Sequence, residues 1–206
     1  MKTPHLLAAA AAIVLVSAAQ AQDAMSAKQA KARVKELITE RCSLCHGAKG
    51  DSSNGTFPRL AAQHPAYFVK QLRDFRDGRR KGTAMNEMAK DLVEEDIAGL
   101  AVHFSTQKPV SKLAPEADLV AVGSYIFNKG NPFSGVAACA CCHGPDGHGT
   151  VQLPRLAGQH ASYLETQLMD FNKRERSNDN AIMHTIASKM TALEIKAVTA
   201  YIGGLE

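Results

Sequence analysis

Two pentapeptides limit what this chain can become: Cys42-Ser43-Leu44-Cys45-His46 and Cys139-Ala140-Cys141-Cys142-His143. Both read C-x-x-C-H. Cysteines three residues apart stand on one face of a helical turn, so both thiols can reach the same flat ligand while the next residue, a histidine, lies beneath it. That is the attachment pattern of c-type haem, in which the thiols add to the two vinyl groups and the imidazole takes the iron. The expected cofactors are therefore two haem c groups, bound covalently through Cys42, Cys45, Cys139 and Cys142, with His46 and His143 as iron ligands.

Other uses of these cysteines fit less well. A thioredoxin-like site follows a strand in a βαβ pattern, and none is visible here. A structural zinc site packs four ligands together, whereas the two clusters lie 97 residues apart (His46 to His143), each with its own histidine. Cys141 is left over, since only Cys139 and Cys142 have the required spacing to His143. It reads as a small residue beside the haem, with a reactive or intermolecular thiol as the alternative.

The N-terminus carries an address. Lys2, the apolar run Leu6 to Val16 and the small-residue site Ala19-Gln20-Ala21 form a secretory signal peptide. The run is too short for a spanning helix, which needs about 20 apolar residues. Residues 1–21 are expected to be removed after Ala21, leaving an exported, periplasmic chain from Gln22. Aromatic residues make up 5% of the sequence and there is no Trp. Two cores so thinly filled would gain from a large apolar cofactor in each.

The pentapeptides belong to a longer duplication. Pro58-Arg59-Leu60 returns at an offset of 96 as Pro154-Arg155-Leu156, and Gln63-His64 as Gln159-His160. Tyr67, Gln71, Leu72, Asp74 and Phe75 return as Tyr163, Gln167, Leu168, Asp170 and Phe171. Two copies of one domain are expected, 22–112 and 113–206, joined where Pro109 and Pro115 break the helical pattern. Each copy reads as helical. A middle helix opens at His64-Pro65 or His160-Ala161, and a last helix carries Val93, Ile97, Leu100, Ala101 and Phe104 on one stripe. Its second-copy equivalent opens with a capping box, Thr191 to Glu194, and turns Ile195, Val198 and Ile202 inward. The fold class is all-α.

The repeat also selects a sixth iron ligand. Aligning the last helices through Ile97 and Ile195 gives an offset of 98, which places Met85 on Met183, each just upstream of its helix in a loop able to cover a haem. Methionine ligation raises the potential and suits electron transfer. Met88 is the rival in the first half. It matches Ile186, as Met190 matches Leu92, so both read as packing residues. His64 and His160 also match, but they stand where helix capping explains them.

Tandem C-x-x-C-H domains, each followed by P-x-L-x-x-Q, a tyrosine, a Q-L helix and a methionine before the last helix, resemble the cytochrome c4 family across nearly the whole mature chain. The resemblance implies two class I cytochrome c folds related by a pseudo-twofold, with haem propionate edges meeting near the domain interface. It implies that the Pro58 and Pro154 carbonyls accept the proximal imidazole N–H, and that Arg59 and Arg155 lie where propionates could be paired. One departure is the opening Gly-x-x-x-aromatic helix, kept as Gly123 to Phe127 but lost before Cys42.

The function implied is a soluble di-haem electron carrier between redox protein partners, a quinol-oxidising complex and a terminal oxidase, with room for membrane-peripheral association. The alternatives are an electron-transfer subunit of a periplasmic oxidoreductase and a two-haem peroxidase. No carboxylate pair or nucleophile–base arrangement marks a catalytic site. Nucleic acid is excluded as a partner by charge: the formal +4 becomes +3 without Lys2, and four ionised propionates bring it to about −1. The charge is uneven, sixteen Lys/Arg against eleven Asp/Glu in 22–112 and seven against nine in 113–206. A basic run, Arg73, Arg76, Arg79, Arg80 and Lys81, reads either as a solvated face or as a steering patch for an acidic partner.

Denaturing mass spectrometry of the mature protein is expected to show the polypeptide plus two haem masses. Cys141→Ser should keep both, and Cys142→Ser should impair attachment of the second. A single added haem in the native protein, or haem that acid acetone extracts, contradicts this reading.

Overall fold

The computed structural model describes residues 26–109 and 117–206. The expected leader 1–21 and the expected junction between 112 and 113 lie outside the described residues. Among these the protein is helix and loop, its β structure confined to an isolated bridge between Asn131 and Val136. Helix α1 (26–37) runs through a π-turn, Ile38–Cys42, into α2 (Ser43–His46). Then come α3 (Pro65–Arg76), α4 (Met85–Ala89) and α5 (Glu94–Ser105). The second half repeats the order with α6 (Ala117–Lys129), α7 (Ala140–His143), α8 (Ala161–Lys173), α9 (Ile182–Ala187) and α10 (Ala192–Gly203).

Local chemistry accounts for these boundaries. Pro65 occupies the first helical position of α3, where its missing N–H costs nothing. Phe68, Leu72 and Phe75 then recur at helical spacing on the buried face. Thr191 and Glu194 form the expected capping box of α10, and Ile195, Val198 and Ile202 are buried. At α5 the residue before the helix is Val93, whose N–H is taken by the Asp96 carboxylate at 3.5 Å. Val93 therefore lies outside the helix and is 54% exposed, so the inward stripe begins at Ile97.

Each half closes its own core. Leu37, Ile38, Phe68, Leu72, Phe75, Ile97, Leu100 and Phe104 fill the first. Ile126, Phe127, Val136, Leu164, Met190, Ile195, Val198 and Ile202 fill the second. Burying one such side chain contributes roughly 1.5–3 kcal/mol.

The helix crossing in each core depends on one small residue. A Cβ on Gly123 of α6 would overlap the carbonyl oxygen of Ala197 in α10. The first half keeps the crossing but moves the glycine to the other helix. Val34 of α1 stands three and four residues before buried Leu37 and Ile38, as Gly123 stands before Ile126 and Phe127. Facing Val34 is Gly99 of α5, where a Cβ would strike the Val34 methyl. Gly99 is the counterpart of Ala197 at the offset of 98. The motif missing before Cys42 is thus replaced by a reciprocal one.

Gly123→Ala should destabilise the holoprotein by about 1–3 kcal/mol, because the obstacle is backbone. Gly99→Ala should cost less, and adding Val34→Ala should recover it. Urea unfolding followed by far-ultraviolet circular dichroism checks both, and equal losses at the two glycines would count against the crossing described.

Candidate haem sites and the interface between them

Each C-x-x-C-H sequence occupies one helical turn that ends on its histidine. The chain then leaves through a glycine with positive φ, Gly47 at 77° and Gly144 at 80°, a conformation that glycine adopts without a Cβ penalty. Gly47 N–H donates to Ser43 O at 3.1 Å and Gly144 N–H to Ala140 O at 3.0 Å. Cys42 and Cys139 pack against their respective cores. Burial pushes each thiol up to about 11, which keeps it protonated and unlike a redox-active thiolate. Cys141 is exposed.

Both imidazoles are buried. His46 Nδ1–H donates to the Pro58 carbonyl at 2.8 Å and His143 Nδ1–H to the Pro154 carbonyl at 3.2 Å. A carbonyl only accepts, so the proton sits on Nδ1 and Nε2 keeps its lone pair for a metal. Burial lowers both histidines below their ordinary range against the pull of the carbonyl, which favours the neutral, ligating form. These residues fit a covalent haem. A further mark of fit is the buried Arg155 Nε, a donor with no hydrogen-bond partner in the protein, where an anionic group would be welcome.

Met85 and Met183 lie not in open loops but within short helices, Met85 as the first residue of α4 and Met183 as the second of α9. Both helices are held alike. Asn86 Nδ2 donates to Phe75 O at 2.6 Å, and His184 Nδ1 to Phe171 O at 2.9 Å. Met85 is partly buried against the first core. Met88, read as packing, is 41% exposed, whereas Met190 does belong to the second core.

Most repeated polar residues act between the halves. The Gln63 side chain brackets the main chain of Arg155, accepting its N–H at 2.9 Å and donating to its carbonyl at 3.0 Å. Gln159 does the same to Arg59, at 2.8 and 2.9 Å. His64 and His160 make no side-chain cap. They reach across instead, His64 Nε2 to His148 O at 2.7 Å and His160 Nε2 to Ser52 O at 2.8 Å. Sequence reasoning saw these repeats without their role; a polar residue returning on an otherwise apolar face was the available signal. It missed Arg80 and Arg176 as counterparts altogether. Their guanidiniums donate to Tyr163 and Tyr67 hydroxyls, both at 2.9 Å. Burial alone would raise the Tyr67 phenol, yet the Arg176 and Arg80 charges hold it below its ordinary range.

Three of the five residues of the basic run are paired within the protein. Arg73 and Arg76 pair with Glu94 at 2.6 and 2.9 Å, and Arg79 pairs with Asp74 and Asp77 at 2.8 and 2.9 Å. Arg80 is buried. Lys81 is exposed, and Arg79 is 56% exposed although paired, so the run is partly paired and partly solvated.

Residues 120–206 match the cytochrome c family model, and residues 29–103 match that of cytochrome c oxidase, cbb3-type, subunit III. Cytochrome c4 of Pseudomonas aeruginosa is 40% identical over 93% of this chain and 93% of its own length. The chain belongs to the cytochrome c4 family. Reduced recombinant cytochrome c4 from Pseudomonas stutzeri superposes with a TM-score of 0.79 at 34% identity, covering 87% of this chain and 98% of that one. The thiosulfate dehydrogenase electron acceptor of Thiomonas intermedia is 37% identical over 78% of this chain and 76% of its length. The architecture is accordingly two tandem class I cytochrome c domains with two haems.

Proposed function

We propose that this di-haem electron carrier works in the periplasm, exported by the leader 1–21, and passes single electrons from a quinol-oxidising complex toward a terminal oxidase. Cys42 and Cys45 hold one haem and Cys139 and Cys142 the other. His46 with Met85, and His143 with Met183, would hold the two irons. When bound, each haem iron alternates between ferrous and ferric states, and the thioether favours the ferrous one. What supports this reading is an arrangement present twice. In both halves the histidine is oriented by a proline carbonyl, and the methionine lies in the first turn of a short helix tied to the middle helix. Such a pair of sites suits transfer, because a methionine on each iron would leave neither face open to a substrate.

In the ferric protein, the near-infrared methionine–iron charge-transfer band should appear for both haems, and the ferrous protein should bind carbon monoxide poorly at neutral pH. Met85→Ala and Met183→Ala should each remove half of the band and lower one potential. Met88→Ala should do neither, since its side chain points outward. One native haem that binds carbon monoxide readily and turns over peroxide would favour the two-haem peroxidase instead.

A second reading concerns the donor. The likeness to a thiosulfate dehydrogenase electron acceptor favours a sulfur-oxidising dehydrogenase as the immediate reductant, with the same two sites. Stopped-flow reduction separates them: the quinol complex should reduce the protein within milliseconds to seconds, and thiosulfate with its dehydrogenase should not. The reverse result exchanges the two donors.

A further inference from the structure

Arg80 and Arg176 are counterparts at the same offset of 96 that relates Tyr67 to Tyr163 and Gln71 to Gln167. Their exposures are 7% and 9%. Each guanidinium lies over a phenyl ring of its own half, Arg80 on Phe75 at 4.5 Å and Arg176 on Phe171 at 4.4 Å. Arg80 donates to Gln71 Oε1 at 2.7 Å and across the interface to Gln167 Oε1 at 2.6 Å. Arg176 donates to Gln167 Oε1 at 2.8 Å and across to Gln71 Oε1 at 3.3 Å. Two amide oxygens therefore serve two cations, which holds like charges side by side. Among the described residues neither guanidinium is in an ion pair.

The same network reaches both methionine helices. Asn86, next to Met85, donates from Nδ2 to the Arg80 carbonyl at 2.9 Å. Arg176 donates to Asn178 Oδ1 at 3.2 Å, and neighbouring Asp179 accepts the Met183 N–H at 2.6 Å. Each arginine is thus connected to the ligand-bearing helix of its own half and, through glutamine and tyrosine, to the other half.

We propose that Arg80 and Arg176 are positioning residues that form one doubly cationic bridge, setting the reduction potentials of both haem sites jointly rather than half by half. The inference rests on Met85 and Met183 being the sixth ligands. Its physical basis is that a buried positive charge is weakly screened and favours the reduced, less positive state of any iron that feels it. A cation shared by two sites acts on both.

The test uses the full-length holoprotein in a spectroscopic redox titration resolving two midpoints. Arg80→Met, a neutral change confined to the first half, should lower both potentials, and Arg176→Met in the second half should do the same. Arg80→Lys and Arg176→Lys, which keep the charge, should restore them, which a merely structural role would not require. If Arg80→Met fails to assemble, Arg80→Gln keeps some hydrogen bonding while removing the charge, with the same expected fall. A shift confined to one midpoint, or no shift in either neutral variant, overturns the proposal. Failure of the underlying reading is distinct: the native protein would lack the methionine–iron band before any arginine is changed.

Discussion

The hydrogen bond from the histidine of each C-x-x-C-H turn to a proline carbonyl connects that turn to the rest of the structure. It orients the imidazole of His46 or His143 and at the same time pins the loop that follows the C-x-x-C-H turn. The next residue after that proline is Arg59 or Arg155, whose peptide groups are bracketed by a glutamine of the opposite half. Leu60 and Leu156 then bond back to Gly50 and Gly147 carbonyls at 2.8 and 2.7 Å. Imidazole orientation and domain pairing are consequently set by one short segment used twice. A disturbance of that segment would move a histidine and an interface together.

Much of this was legible because the chemistry is tied to residue spacing. C-x-x-C-H, the capping box at Thr191 and the apolar stripes each specify geometry within a few residues. What escaped depends on contacts between segments distant in the chain. The transposed glycine is the clearest case. Gly123 and Val34 occupy equivalent places, yet they are 89 residues apart (123 minus 34), not 96 to 98. The second half inserts a loop closed by the Asn131–Val136 bridge between α6 and Cys139, whereas α1 passes straight through its π-turn. No constant offset could align them. His64 and His160 misled for a different reason: a residue preceding a helix is a plausible cap, and only the opposite half shows that the ring points elsewhere. Basic side chains clustered in sequence likewise suggested a patch, while their carboxylate partners came from Glu94, Asp74 and Asp77.

The pseudo-twofold also sharpens what differs between the halves. Asp74 and Asp170 are counterparts on α3 and α8, both beside the paired arginines. Burial would raise Asp74, but hydrogen bonds from Lys70, Arg79 and Asn178 outweigh it and hold the carboxyl below its ordinary range. The positions matching Lys70 and Arg79 in the second half are Thr166 and Glu175. There burial, reinforced by the Glu175 charge, raises Asp170. Two matching sites thus sit in unlike electrostatic surroundings. This asymmetry lies around the paired arginines, which is where a duplicated domain can acquire two different potentials.

That arrangement bears on how two small domains stay together. The bonds between the halves run from side chains to main-chain groups, from guanidiniums to amides and from imidazoles to carbonyls, while each apolar core stays within its own half. Such bonds are directional, and leaving a buried donor unmet costs roughly 1–3 kcal/mol. A hydrophobic seam would tolerate sliding; this one does not. Each bracket requires its glutamine opposite one particular peptide, and the arginines require both glutamines at once. An interface of this kind gives up some attraction in return for a single register. For electrons moving between two redox centres, a constant separation matters more than a strong attachment, because transfer depends steeply on distance while the two halves are already joined by the chain.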